Sequence, residues 1–219
     1  MKPIEVGFFS FTEILDGDHR TYNEWHMLDH MPEQFALEGI AFGQRWVSTP
    51  ACHSARRSNT PRFVPADYVT LYLMTEPVEE TLTEFFALGR HLASVDRFHK
   101  QRRACLSGAF TLDAKWVAPR VLIDEQVVPF RPCRGIYVVV AADPAPGSLA
   151  LDVQGVAGAW SFADAERRIT VAWLDEDPLA VAAERGAEIV DRVAAGSPVE
   201  LAGPFETVTP WKWDWFDST

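Results

Sequence analysis

Cysteine is scarce in this chain of 219 residues. Cys52, Cys105 and Cys133 are odd in number, far apart and in no CxxC pair, which excludes a disulfide framework and a zinc knuckle. They read as free thiols of a reducing compartment, so a cytoplasmic location is expected. Positive charge is short as well. With 20 Lys and Arg against 31 Asp and Glu the net charge is -11, and no basic stripe with interleaved aromatics is present to displace counterions from phosphates. A nucleic-acid partner is excluded on that ground, and small molecules are the expected ligands. Long apolar runs are missing: residues 136–142 fall well short of a membrane span, and the opening MKPIEVGFFSF lacks the layout and cleavage site of a signal peptide. No membrane partner is expected. GxGxxG, a Walker lysine loop, GxSxG and HExxH are all absent, which removes the usual signatures of dinucleotide, nucleotide, serine-hydrolase and zinc-protease sites.

What remains is an ordinary globular composition, 47% apolar and 23% charged. Apolar runs and breakers predict a strand over 4–11, a helix over 19–37 stopped by Gly39, strands over 40–48 and 68–75, a helix from Glu76-Pro77 to about residue 98 with a break at Gly89, and a strand over 109–117. Strand, helix, strand, strand, helix, strand is the order of a ferredoxin-like unit. The second half repeats much of it, with strands at 135–142, 155–162 and 168–174, a helix at 178–194 and a closing segment at 199–215. GIAFGQRW from Gly39 is echoed by GVAGAWSF from Gly155, and TLYLMTEPVEETLTEF from Thr70 by TVAWLDEDPLAVAAER from Thr170. The expected fold is α+β: two tandem ferredoxin-like repeats with antiparallel sheets, residues 1–117 and 135–219, joined by a proline-bearing connector over 118–134. Between the first two strands of the second half only DPAPGSLALDVQ remains, 143–154, too short and proline-rich for a helix like that of 19–37. Whatever that helix does, the chain does once.

The helix carries the candidate chemistry. His26 and His30 are four residues apart and share a face with Tyr22 and Glu33, while Trp25, Leu28 and Phe35 form a neighbouring stripe suited to anchoring it. Pro32 removes a donor and predicts a kink beside His30. An imidazole that titrates near neutrality serves as general acid or base, with His26, Asp29 and Tyr22 orienting or tuning His30. The plainer reading is a solvated polar face. A divalent metal on His26, His30 and Glu33 is a third reading, without the intervening glutamate of a zinc protease and without a second ligand cluster.

The pattern Tyr22, Trp25-His26, His30-x-Pro32-Glu33, then Gly39 opening a strand, resembles the EthD-like branch of the dimeric α/β-barrel superfamily. The resemblance is best over residues 1–117 and architectural over 134–216. It implies two ferredoxin-like sheets paired into a barrel, within the chain or between two copies as a homodimer, with a ligand cavity between sheet and helices. It also implies that His30 occupies the position of the family's helical histidine. The superfamily includes polyketide cyclases, cofactor-free monooxygenases, lactone isomerases and haem proteins.

Other features are less specific. Arg97 to Arg103, with His91 and His99 nearby, is read as a basic complement to a helix C-terminus in preference to a site for an anionic ligand group. The segment 49–67, with Cys52, His53, Arg56 and Arg57, has the length of a lid, and its arginines are read as solvent-exposed or as contacts for a substrate carboxylate. Trp211, Trp213 and Trp215 alternate with Lys212 and Asp214 and so would share one strand face, as a packing surface or an aromatic wall. Trp25, Glu33, Arg45 and Trp211 are the residues assigned to substrate binding. The expected function is a cofactor-independent enzyme acting on a small apolar or aromatic metabolite by proton transfer at His30, as cyclase, isomerase, lyase or monooxygenase. The alternative is a non-catalytic small-molecule-binding or stress-response protein using the same cavity.

Overall fold

In the computed structural model, which describes residues 2–142 and 149–216, the apolar runs form strands β1 (Ile4–Ile14), β2 (Ile40–Val47), the two-residue β3 (Ser58–Asn59), β4 (Tyr68–Thr75), β5 (Arg102–Val117), β6 (Gly135–Ala142), β7 (Val156–Ala163), β8 (Arg167–Leu174) and β9 (Val199–Thr207). Apart from β3, which lies beside β9, they follow one another as β2-β4-β1-β5-β7-β8-β6-β9, every pair antiparallel. β9 then returns to β2 through Trp46↔Thr207 and Val47↔Glu206. Eight strands therefore close into a barrel within one chain, and the four strands of each half lie in the same order.

Strand alternation sends every second side chain inward. Phe9, Phe11, Trp46 and Phe110 from the first half meet Trp160, Phe162, Trp173 and Phe205 from the second. Phe9 packs edge-on against Phe110 at 5.8 Å and against Phe162 at 5.1 Å, so the two halves share one aromatic interior. At Gly7 an added Cβ would fall 2.8 Å from the Phe162 ring, which shows how closely the interior is filled. The other strand faces are covered by helices: α4 (Val78–Ser94) on the first half and α5 (Pro178–Ala194) on the second. Asp177 caps α5 by accepting from the Ala180 N–H at 2.9 Å, with Pro178 in its first turn.

Several expectations are corrected. The helix of 19–37 is α1 (His19–Trp25), a π-helical turn over His26–His30 and α2 (Met31–Gln34), ending short of Phe35. The π turn winds the chain one residue wider. Leu28 and Phe35, expected to anchor the helix, stand about half exposed, while Tyr22, His26 and His30 face the sheet. α4 runs unbroken through Gly89 and stops at Ser94. β5 starts at Arg102, so the end of the basic run belongs to a strand and not to a helix terminus. Segment 49–67 is not a free lid: it holds α3 (Pro50–Ser54) and β3, and the Arg56 guanidinium donates to the carbonyls of Phe63 and Ala66 while lying over Phe205. The connector contains a 3-10 turn, Glu125–Phe130, whose first carbonyl accepts from Trp160 Nε1 at 2.9 Å. Beyond Thr207 the chain turns and is not a strand, so Trp213 is buried, Trp215 half-buried and Trp211 76% exposed with φ +69. The three indoles do not share a face.

Of the segment 143–154, residues 143–148 lie outside the described residues; from Leu149 onward it is not helical, and Leu149, Leu151 and Val153 pack on the sheet beneath α5. Among the described residues no helix is long and apolar enough to cross a membrane.

Trp160 joins the interior to the connector. Trp160→Ala is expected to lower unfolding stability by about 3–5 kcal/mol, measured by urea denaturation. An unchanged midpoint would show that the interior is not the shared core.

Candidate ligand cavity beneath the histidine turn

A cavity of about 350 Å³ lies on the outer face of the first half, between the sheet and the helices. Its floor is Phe8, Ser10 and Thr12 of β1 with Thr70 and Tyr72 of β4, the residues that alternate with the inward Phe9, Phe11 and Leu71. One wall is Tyr22, Trp25, His26, His30 and Gln34; the other is α4, through Phe85, Phe86, Gly89 and Arg90. Phe98 and Arg102 close one end.

The wall carrying the histidines is held from three sides. Asp18 caps α1 by accepting from the Thr21 N–H at 3.0 Å. Below, Asn23 Nδ2 donates to the Tyr68 hydroxyl at 2.9 Å and Asn23 Oδ1 accepts from Arg45 Nη1 at 2.9 Å. The Arg45 guanidinium, only 1% exposed, lies over the rings of Tyr22 at 4.8 Å and Tyr68 at 5.1 Å. Because Tyr68 accepts from Asn23, its own proton is free for His19 Nδ1, 3.1 Å away. On the outside, Arg97 donates to Asp29 and Glu33, and its carbonyl accepts from Trp25 Nε1 at 2.8 Å. These bonds fix the segment whose carbonyl of His26 receives the Met31 N–H, the five-residue step of the π turn.

His26 and His30 are brought together with ring centroids 5.2 Å apart, 6% and 8% exposed. Trp25 stacks on His30 at 4.7 Å, and Phe98 meets it edge-on at 5.4 Å. Burial, followed by the positive charge of Arg102, pushes the His30 imidazole down to about 4, with Asp29 opposing. His26 is held well below its ordinary value by burial first, then by the charges of Arg45, His30 and Arg102. Both rings are therefore neutral at neutral pH. Polar atoms on the cavity walls are buried without partners among the described residues: Nδ1 of His26 and of His30, Gln34 Oε1, Thr70 Oγ1, the Tyr72 hydroxyl and Arg102 Nε. Burial raises the Tyr72 phenol, which keeps its proton.

Of the residues assigned from sequence, Tyr22, Trp25, His26 and His30 line this cavity. Asp29 and Glu33 are turned away into the Arg97 ion pairs, so Asp29 makes no hydrogen bond to His30. Arg45 lies behind Tyr22, outside the lining, and Trp211 is at the surface. The sequence points to Arg102 only as part of the basic run 97–103, where a helix-terminus role is preferred to an anionic-ligand site, and it does not single out Tyr72, Thr70 or Gln34. For Arg102 the decisive feature is a β-bulge: Phe11 pairs with Leu106 and Thr12 with Ala104, leaving Cys105 extra. The bulge brings Arg102 onto the same face as Ser107, toward the cavity. For Tyr72 and Thr70 a signal was available, since they alternate with Leu71 in a strand buried on both faces.

Among the described residues no group of three or more His, Cys, Asp or Glu converges for a metal ion. Glu33 in particular is engaged by Arg97 and cannot join the two histidines. Haem asks for less, one neutral imidazole in an apolar cavity, and His26 and His30 meet that requirement. His26 or His30 would hold a haem there, and the group would supply redox or oxygen chemistry.

No protein-family model matches the sequence, and no curated protein matches it. Among solved structures, a protein described as a provisionally assigned chlorite dismutase is similar over 99% of this chain and 98% of its own, with a TM-score of 0.56 and 14% identity. A provisionally assigned monooxygenase from Lactobacillus acidophilus covers 95% of this chain and 94% of its own, with a TM-score of 0.41 and 11% identity. The first likeness shows the fold, an α+β barrel of the dimeric α/β-barrel kind.

A neutral buried imidazole has a consequence for stability. The unfolded chain takes up protons at its histidines near pH 6.5, whereas folded His26 and His30 do not, so stability falls as pH drops from about 6.5 toward about 4. His30→Gln is expected to lose less stability than the native chain between about pH 7 and about pH 4.5, followed by urea unfolding. Equal losses would mean that His30 titrates as if exposed.

Proposed function

We propose that the protein is an EthD-like member of the dimeric α/β-barrel superfamily, two ferredoxin-like repeats (1–117 and 135–219) joined by the connector 118–134, and an enzyme. In this reading it moves a proton on a small aromatic or apolar metabolite, as a cyclase, isomerase or lyase does or as the first step of a cofactor-free oxygenation. The observation that carries the reading is the pair of neutral imidazoles, buried side by side in an aromatic-lined cavity with polar atoms left unpartnered around them. Buried polar groups without partners are costly, and ligand-binding sites are where such groups are retained.

Each residue then has a task set by its chemistry. His30 accepts the proton, since a neutral imidazole has a free lone pair at working pH, and His26 shares or relays it. A low affinity for protons in the free state is offset when a ligand brings negative charge beside the ring. The protonated Tyr72 phenol and Thr70 donate to oxygen atoms on which charge develops, Gln34 Oε1 accepts from a donor on the ligand, and the low-dielectric surroundings strengthen those bonds. Trp25, Phe85 and Phe98 hold the apolar body and keep water out.

The experiment begins with mass spectrometry of compounds that copurify with the protein, followed by return of the identified compound to fresh protein in D2O. Conversion or carbon deuteration is expected, falling by roughly 10²- to 10⁴-fold in His30→Gln, with ligand affinity largely kept. Turnover indifferent to His30 would contradict the assignment. A ligand bound stoichiometrically and left unchanged at every pH would make the cavity that of a non-catalytic binding or stress-response protein.

A further inference from the structure

Acidic residues outnumber basic ones 31 to 20, and eight of the sixteen arginines are ion-paired with carboxylates among the described residues. Arg97 is bridged to Asp29 and Glu33, Arg120 to Asp175, Arg167 to Glu200 and Arg192 to Glu188. Arg103 pairs with Glu13 at 2.6 Å. Its neighbour Arg102, turned by the bulge to the opposite face, has no carboxylate and no hydrogen bond among the described residues. What surrounds its guanidinium is aromatic: Phe98 at 4.4 Å and Trp25 at 5.6 Å. Arg45, buried behind Tyr22, likewise has no carboxylate, and its Nε and Nη2 lack partners. No Asp or Glu lines the cavity, while Arg90 stands at its mouth. A second cavity of about 420 Å³ shares Phe98 and Arg102 with the first and adds His99 and Lys100.

Withdrawing a guanidinium from water without a counter-ion is costly, fully for the buried Arg45 and in part for the half-buried Arg102, and the cost is relieved when an anion is supplied. In a strongly acidic protein, keeping two such groups around one cavity excludes the chain's own carboxylates from the place where an anion would sit. From this juxtaposition we propose that the ligand is an aromatic or apolar body bearing a carboxylate or an equivalent planar oxyanion, and that Arg102 receives that group where the two cavities meet. The planar fork of Arg102 suits two parallel bonds to a carboxylate, and the rings that flank it suit the ligand's apolar body. Arg45 adds long-range attraction through Tyr22 without touching the ligand. The inference rests on this cavity being the ligand site of the proposed function, but not on turnover there.

The test uses the whole protein and paired probes of nearly equal shape, 1-naphthoate against 1-naphthamide and benzoate against benzamide, followed by calorimetry and by quenching of Trp fluorescence. The acids are expected to bind roughly 10- to 100-fold more tightly than the amides. Arg102→Gln should abolish the preference, Arg102→Lys should restore part of it, and His30→Gln should leave it in place. Equal binding of acid and amide, binding of neither, or a preference that survives Arg102→Gln with an intact circular dichroism spectrum would overturn the proposal. If His30→Gln abolishes turnover while the preference is absent, the proton-transfer reading stands and this one fails; a preference without turnover has the reverse meaning.

Discussion

The filling of the barrel interior is the constraint on which the rest of the molecule depends. Phe9, Phe11, Trp46 and Phe110 interlock with Trp160, Phe162, Trp173 and Phe205 across the two halves and fill the interior closely. The histidine cavity lies on an outer face of the sheet, where helices shield it. In the second half that space is occupied by Leu149, Leu151 and Val153 packed beneath α5. In the first half it is bridged by α1, the π turn and α4, whose meeting with the sheet is incomplete. Of the two outer faces, the cavity with the histidines lies on that of the first half.

How that cavity keeps its chemistry follows from its anchors. The wall with His26 and His30 would be unstable if it relied on apolar contacts alone, since its inner face is polar. Arg45, Asn23 and Tyr68 hold it from below, and Arg97 with Asp29, Glu33 and Trp25 holds it from outside. The outer bonds are solvent-exposed and individually weak, so positioning rests more on the buried clamp. Within this frame the imidazoles cannot charge readily, because burial and nearby guanidinium groups act in the same direction. An anionic ligand reverses the second of those effects, which couples ligand binding to the readiness of His30 to hold a proton.

Much of the architecture was legible in the sequence because strands and helices write periodicities that survive in any context. β6 over 135–142, β4 over 68–75 and α5 over 178–194 lie where their apolar patterns and breakers place them. The π turn was not legible, since Pro32 signalled a kink while the widened turn falls on the residues just before it. That difference decided which face of the helix meets the sheet. Trp211 was misplaced because alternation of Trp with Lys and Asp is a strand signal only if the chain stays extended, and here it turns. Arg102 was hidden by its company in a basic run, and one extra residue at Cys105 determines where it points. Local spacing sufficed to group Tyr22, Trp25, His26 and His30, which line the cavity; residues that reach it by register or from distant strands carry no such local signal.

The central claim is that His26 and His30 are held neutral in a cavity whose charged lining is cationic. The most direct measurement is the ¹⁵N NMR titration of their side chains, with and without 1-naphthoate. The account predicts that both rings stay neutral across about pH 5–8 in the free protein, and that the ligand moves the protonation of at least one of them upward. Titration of both rings near pH 6.5, indifferent to the ligand, would contradict it.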